Sequence, residues 1–295
     1  MVKMRFVLVR SRGRRQKGVD IHQYAVYSAA TRVFPVFIYS RGMWMLKFAW
    51  LLLVTVALYS GAAAAEQTVR LMANTSPPYA DRKLPDEGLA LELVKHVFAR
   101  TDYQPEITIE NWSRAEEGAR LGVYDGLAAA WYSDERNQDL AFSEPYLGSE
   151  LMMLKRRADP RNYRSLQDLA GARLGVRADY AYGIDFGAIP GLTLVEENHL
   201  IQNLLKLQSG AVDVVIGDRR TVIWQLNEYL SDRITDFAVV NIPLPEVQRH
   251  VAASRELPGY DKLIAEFNRA LAETRKDGSL EAIIKQWDER LGKLD

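Results

Sequence analysis

The chain has 295 residues, 48% of them hydrophobic, which supports a sizeable core and predicts two modest domains. It contains no cysteine, which excludes disulfides, thiolate metal sites, a cysteine nucleophile and a lipid anchor on cysteine. The net charge is zero because residues 1–65 carry +9 and residues 66–295 carry −9. The acidic segment 66–295 is a poor binder of nucleic acid, because phosphate contacts need clustered lysine and arginine.

An apolar segment near residue 50 has the pattern of a secretory signal peptide. Phe48–Tyr59 is uncharged, follows Lys47 and leads into four alanines that end at Ala65. A basic start, a short apolar core and small residues at Ala63 and Ala65 predict cleavage after Ala65 and export to the periplasm. The alternative is a membrane anchor, because the uncharged stretch reaches 18 residues, the lower limit for a span.

Residues 1–42 precede this signal without contributing to it. Met43 and Met45 both lie where a signal peptide normally starts, so we predict that translation begins at one of them. Residues 43–65 would then be the signal peptide, and residues 1–42 an upstream extension that is disordered if it is present.

The exported part alternates strand-like and helix-like patterns. The first series predicts strands at 68–73, 105–109 and 125–131, and helices at 88–100 and 113–121. Ser113, followed by Glu116 three residues later, has the pattern of a capping box. The alternation predicts βαβ units and a parallel sheet.

A second series begins near Ser165. It predicts a short helix at 165–169, strands at 172–176, 192–195, 212–216, 237–242 and 248–253, and helices at 198–208, 219–230, 260–275 and 279–291. No repeat or linker separates the two series, so short strands near 150–157 and 243–250 are expected to join two lobes. We predict that lobe 1 comprises residues 66–154 and 248–295, and lobe 2 residues 155–247.

Six short motifs follow one another in a fixed order. They are GVYD (122–125), SDER (133–136), FSEPY (142–146), SLQDLAG (165–171), LQSGAVDVVIGD (207–218), and KDGSL (276–280) with Trp287. Together they resemble the type II periplasmic binding proteins of the amino-acid-binding kind, extracellular solute-binding family 3. The resemblance implies an α/β fold of two lobes with two hinge crossovers. It also implies closure on a small carboxylate-bearing, amino-acid-like ligand, a membrane permease of an ABC importer as partner, and a monomer.

The resemblance implies that Arg136 grips a ligand carboxylate. A guanidinium fork suits that role, because it binds carboxylate in bidentate fashion and keeps its charge when buried. We also expect Arg136 in the first turn of a helix, where free N–H groups favour anions. The alternative is a surface arginine paired with Glu135 or Asp139.

The resemblance makes Asp218 the partner of a ligand amino group. Asp218 ends an apolar strand and opens a helix, so it is also a natural N-cap, and the two roles are compatible. The adjacent Arg219 could neutralise it.

Aromatic side chains complete the predicted site. Trp112 matches the family's aromatic that lies against the ligand, and Tyr79 follows the first strand, where ligands bind in open α/β sheets. Core packing is the alternative for both. Trp131 stands where amino-acid binders carry a hydroxyl, and Tyr180 occupies the turn of the second lobe. These departures predict a ligand with an apolar or aromatic part, or a pocket narrowed by Trp131.

Motifs of nucleophilic hydrolases, zinc proteases and phosphate-binding loops are missing from the sequence, and the four histidines are scattered. We therefore predict no catalytic residue, no metal and no cofactor. A cyclohexadienyl dehydratase with this fold remains an alternative, with Glu144 and Asp218 as the candidate acids. A sensor, whose closure a membrane receptor reads, is another.

Overall fold

The computed structural model describes residues 67–291. The predictions for residues 1–42 and for the signal peptide at 43–65 lie outside this range. Within it, no helix is long and apolar enough to cross a membrane.

The described residues form ten strands and six α-helices. The strands are β1 (Gln67–Asn74), β2 (Tyr103–Glu110), β3 (Gly126–Trp131), β4 (Leu140–Phe142), β5 (Leu147–Arg156), β6 (Arg173–Arg177), β7 (Thr193–Glu197), β8 (Val214–Asp218), β9 (Phe237–Val240) and β10 (Glu246–Ser254). The helices are α1 (Leu89–Phe98), α2 (Trp112–Arg120), α3 (Leu200–Ser209), α4 (Arg219–Tyr229), α5 (Tyr260–Lys276) and α6 (Ser279–Leu291).

The strands follow one path in the order β2-β1-β3-β10-β5-β8-β6-β7, with β4 beside β10 and β9 beside β5. Strands β2, β1 and β3 are parallel, and so are β7, β6 and β8, as the alternation predicts. Strands β5 and β10 run antiparallel to their neighbours, so the two parallel groups are joined by antiparallel strands. This arrangement arises because the chain crosses between the two series along extended strands rather than through helices.

Strands β5 and β10 connect two lobes. They pair with each other between 147–150 and 246–249. Strand β5 then continues beside β8 and β9, whereas β10 continues beside β3 and β4. The fold is therefore a two-lobed α/β fold with two extended crossings. The predicted lobe boundaries stay a prediction, because both strands run unbroken from one lobe into the other.

Each lobe buries apolar side chains on both faces of its strands. In β1, Val69 and Leu71 pack with α1, α5 and α6, while Met72 faces α2. In β5, Met152 packs with α3 and α4, and Met153 faces the opposite side. This period of two is the expected pattern for strands covered on both faces.

Helix α2 begins differently from the prediction. The N-cap is Asn111, whose side chain accepts a hydrogen bond of 2.9 Å from the backbone N–H of Arg114. Ser113 lies within the helix, so the predicted capping box does not form. Glu116 is free to bond elsewhere, and its carboxylate contacts Arg136.

Candidate functional site

The six predicted site residues lie where the two lobes meet. They follow or end strands at the carboxyl edges of the parallel strands, where open α/β sheets bind ligands. Tyr79 and Trp112 follow β1 and β2, Trp131 and Arg136 lie at and beyond the end of β3, Tyr180 follows β6, and Asp218 ends β8.

The guanidinium of Arg136 is buried, with the residue 7% exposed, and it has an acceptor at each nitrogen. Nε donates to the carboxylate of Glu116 at 2.8 Å, Nη1 to the carbonyl of Trp131 at 3.0 Å, and Nη2 to the carbonyl of Asp179. The Trp112 ring covers the guanidinium, with Cζ 4.6 Å from the ring centroid. Arg136 is thus held by one lobe and by the turn of the other.

The expected helix at Arg136 does not form, and the alternative pairing of Arg136 with Asp139 is not found either. The predicted helix is a single 3-10 turn, Arg136–Gln138, which is too short to supply a helix dipole. Asp139 pairs with Arg120 at 2.7 Å instead of Arg136. The actual partner, Glu116, is twenty residues away in the sequence, so local pairing rules could not reveal it.

Asp218 is buried and fully engaged. The hydroxyl of Tyr79 donates to its two carboxylate oxygens, at 2.8 and 2.9 Å, and the backbone N–H of Thr221 donates at 3.1 Å. Asp218 therefore caps α4, as the sequence predicts. Burial, and next the charge of Asp218, raise the pKa of Tyr79 well above its usual range, so the hydroxyl keeps its proton. Arg219 pairs with Glu150, 3.8 Å away, and forms no ion pair with Asp218 in the described part of the chain.

Tyr180 fills the cleft. Its hydroxyl accepts a hydrogen bond of 2.7 Å from the side-chain amide of Asn74, at the end of β1. Its ring lies edge-on to Trp131 and Trp112, with centroids 5.0 and 6.1 Å apart. The guanidinium of Arg177 stacks on the same ring, with Cζ 4.3 Å from the centroid. The structure therefore has a closed cleft whose aromatic residues contact across both lobes.

Two small cavities remain, and Tyr180, Trp131 and Arg249 line both of them. The first, of about 230 Å³, is also lined by Asn74, Trp112, Ala129, Arg136 and Ala181. The second, of about 250 Å³, is also lined by Ser76, Arg177, Tyr182, Leu200, Gly217, Asp218 and Thr221.

In each cavity only about 10 Å³ is open to the centre of a water molecule, which is room for a single water. A larger ligand therefore requires the lobes to open and Tyr180 to move. Tyr79 lines neither cavity; its hydroxyl is committed to Asp218.

Arg249 and Arg177 are charged cleft residues that the sequence patterns did not reveal, and Arg249 lines both cavities. Arg249 is 3% exposed, its Cζ lies 3.5 Å from the centroid of Tyr79, and its Nη2 lies 3.7 Å from Asp218. A signal was available, because Arg249 shares its face of β10 with Val247 and Val251, which are buried. A charged side chain on the buried face of a strand is uncommon unless it is paired or binds something.

The candidate acid Glu144 lies away from the cavities. It is exposed, it lines neither cavity, and its backbone N–H donates to Asn268 at 2.8 Å. The Nδ1–H of His250 donates to the carbonyl of Ser143, 2.7 Å away. Within residues 67–291, no group of three His, Asp or Glu side chains is arranged to hold a metal ion.

Comparisons with known proteins agree with this architecture. Residues 70–290 match the model of the bacterial extracellular solute-binding proteins, family 3. A probable amino-acid ABC transporter-binding protein of Haemophilus influenzae is 25% identical over 255 residues, which are 80% of this chain and 96% of that protein. ABC transporter arginine-binding protein 1 of Escherichia coli K12 is 23% identical over 242 residues, 77% of this chain and 93% of that protein.

A solved structure shares the fold. It is the crystal structure of an amino acid ABC transporter substrate-binding protein from Streptococcus pneumoniae bound to L-arginine. The two superpose with a TM-score of 0.65 at 18% sequence identity, over 79% of this chain and 99% of that chain.

Proposed function

The chain belongs to family 3 of the bacterial extracellular solute-binding proteins. From this premise we propose that it is a periplasmic receptor that closes on a small, carboxylate-bearing, amino-acid-like ligand and delivers it to an ABC importer. The observation that carries the proposal is a buried guanidinium, Arg136, facing a cavity between two lobes. The Haemophilus relative, named as an amino-acid ABC transporter-binding protein over nearly its whole length, supports the class of ligand.

In this proposal the ligand binds the first lobe and the second lobe closes over it. Arg136 takes the carboxylate, and Trp112 and Trp131 give apolar contact on either side of it. Tyr180 and Asp218 come from the second lobe, with Asp218 positioned by Tyr79. Closure is driven by contacts that exist only when the lobes meet, such as the hydrogen bond between Asn74 and Tyr180.

The closed arrangement shows what the ligand has to displace. Glu116 and two backbone carbonyls now satisfy Arg136, and Tyr180 lines both cavities. A ligand carboxylate would take over guanidinium N–H groups, and a ligand body would take the volume of the Tyr180 ring. A permease would then recognise the closed pair of lobes. The protein would act as a monomer, exported by a signal peptide that is cleaved after Ala65.

We propose no catalytic role for the cleft. Asp218 is held by Tyr79 and the first turn of α4, and Glu144 is exposed outside both cavities. A thermal-shift screen of amino acids, polyamines, small organic acids and prephenate would identify the ligand class, because a ligand raises the melting temperature by binding the folded state. Product formation from prephenate would replace the receptor assignment with that of a dehydratase.

The proposed role of Arg136 is tested by Arg136→Ala. Removing the guanidinium leaves a ligand carboxylate without its charged donors, so affinity should fall at least about 100-fold. Titration calorimetry measures this with whichever carboxylate the screen identifies. The matched control is Arg114→Ala, an arginine 70% exposed in its side chain that contacts only Glu110. Equal affinity of Arg136→Ala and the wild type would reject the proposed role.

A further inference from the structure

The guanidinium of Arg249 is buried with few polar partners. The residue is 3% exposed, its Nε has no hydrogen-bond partner, and none of the side-chain hydrogen bonds within residues 67–291 comes from it. The nearest carboxylate, Asp218, is 3.7 Å from Nη2 and already accepts hydrogen bonds from Tyr79 and Thr221. A guanidinium has five N–H donors, and leaving them unbonded in a dry site is costly.

Arg177 is a second buried cation, and it has no carboxylate partner within the described residues. It is 7% exposed, and its donors reach the carbonyl of Asn198 at 2.9 and 3.2 Å and the hydroxyl of Ser76 at 3.3 Å. No acidic group within the described part of the chain forms an ion pair with it. Both Arg177 and Arg249 line the second cavity, which Arg136 does not line, and Arg249 also lines the first.

The charges that line the two cavities are unbalanced. Three arginines face them, Arg136, Arg177 and Arg249, whereas Asp218 is the sole carboxylate among the lining residues. Counting Glu116 behind Arg136 still leaves one positive charge in excess. Opposite charges attract strongly in such a buried site, and like charges repel.

The uncharged donors point to the same kind of ligand. The indole N–H groups of Trp112 and Trp131 are buried without an acceptor, and both residues line the first cavity. Buried donors in native proteins almost always have a partner. The cleft therefore offers a surplus of donors and of positive charge, and it calls for a ligand rich in acceptor oxygens.

We infer that Arg249 and Arg177 form a second anion-binding subsite, and that the cleft selects small acids with two carboxylates and a net negative charge. This inference rests on the proposed function, with Arg136 taking one carboxylate and Arg249 with Arg177 the other. A cationic amino acid would meet only Asp218, which is already paired. The ligand class thus differs from arginine, which the Streptococcus pneumoniae structure contains and for which the Escherichia coli relative is named.

The first test varies the ligand and leaves the protein unchanged. Titration calorimetry of the purified protein, at one ionic strength, measures its affinity for glutamate, succinate, glutamine and arginine. These four ligands differ in net charge. Glutamate or succinate should bind at least about 30-fold more tightly than glutamine or arginine. Arginine or glutamine binding as tightly as the best dicarboxylate would overturn the inference while leaving the proposed function standing. If no carboxylate binds, the proposed function itself fails.

The second test removes the subsite. Arg249→Gln should weaken binding of the dicarboxylate at least about 30-fold, with a much smaller effect on a monocarboxylate such as glutamine. The control, Arg219→Gln, removes an arginine of α4 that lines neither cavity and should bind like the wild type. A melting temperature that does not fall in Arg249→Gln shows that the variant folds. Equal losses for both ligands would assign Arg249 a structural role and overturn the inference.

Discussion

At the scale of single residues, the cleft pairs Arg136, the proposed carboxylate-binding group, with an internal carboxylate. Arg136 and Glu116 are 2.8 Å apart, with side chains 8% and 19% exposed, so the pair is only weakly screened by solvent. If Arg136 binds the ligand carboxylate as proposed, that carboxylate competes with Glu116 for the same guanidinium. The internal pair would then lower the affinity for acids.

Replacing Glu116 tests this competition. In Glu116→Gln the guanidinium loses its charged partner, and the affinity for the carboxylate ligand should rise by about tenfold. Titration calorimetry measures the change, and Glu117→Gln, at the exposed neighbouring position of α2, is the control. A fall in affinity would mean that Glu116 orients Arg136 rather than competing for it.

At the scale of elements, an acidic residue joins the start of two strands in the second lobe. The carboxylate of Asp213, just before β8, accepts from the backbone and side chain of Arg173 in β6 and from Arg161. These bonds hold the pKa of Asp213 well below its usual range, and the bond from the Arg173 side chain contributes most. A carboxyl group whose pKa is lowered by folding stabilises the fold while it is ionised.

The pH dependence of stability follows from that shift. The contribution of Asp213 is complete at pH values above the unfolded pKa, near 4, and is lost as the pH falls below it. Asp213→Asn should lower the free energy of unfolding at pH 7 by about 2 kcal/mol and flatten its decline between pH 5 and pH 2. Urea unfolding across this range measures both effects. Asp232, whose side chain is 76% exposed, is the control, and Asp232→Asn should change neither quantity. If stability still declines between pH 5 and pH 2 in Asp213→Asn as in the wild type, Asp213 is not the source of that decline.

Most elements could be predicted from the sequence because their apolar residues recur at the period of a helix or strand. Helix α6 was predicted at 279–291 and is found at Ser279–Leu291. Strand β4 was missed because it has three residues, and the first half of β5 because Gly148 and Glu150 interrupt its apolar pattern. The motifs located the six site residues at the cleft, but whether each touches a ligand remains a prediction.

The contacts inside the cleft could not be predicted. The partners of Arg136 and Asp218 come from other elements, and the separation between partners reaches 139 residues for Tyr79 and Asp218. No local spacing rule reports such pairs. Arg249 was missed although it alternates with Val247 and Val251, because that alternation indicates a buried face and not the cleft that the face lines.

At the scale of the whole molecule, an ion pair connects the lobes away from the ligand cavities. Arg220 of α4 donates to both carboxylate oxygens of Asp288 of α6, at 2.6 and 2.9 Å, and to the carbonyl of Gly148 in β5 at 3.3 Å. Neither charged residue lines the two cavities. The pair stabilises the closed form because rotation of the lobes would separate α4 from α6.

Breaking this pair should weaken ligand binding without altering the site. In Asp288→Asn the closed form becomes less populated, and the apparent affinity should fall roughly two- to fivefold. Calorimetry gives the affinity, and small-angle scattering of the ligand-free protein gives the accompanying expansion. Glu289→Gln, which removes an exposed charge from the same helix, is the control. Unchanged affinity and dimensions would show that the pair does not contribute to closure.

The path of β5 and β10 has a consequence for the order in which the lobes can be completed. The strands of the second lobe lie between these two crossings in the sequence. In the first lobe, β3 pairs with β10, which comes late in the chain. Leu89 and Phe98 of α1 likewise pack against α5 and α6, which come last. When the chain emerges N-terminus first, its earliest segment is the last to be finished. A chain that stopped before β10 would present an unpaired strand edge and an uncovered apolar layer, the surfaces by which unfinished proteins aggregate.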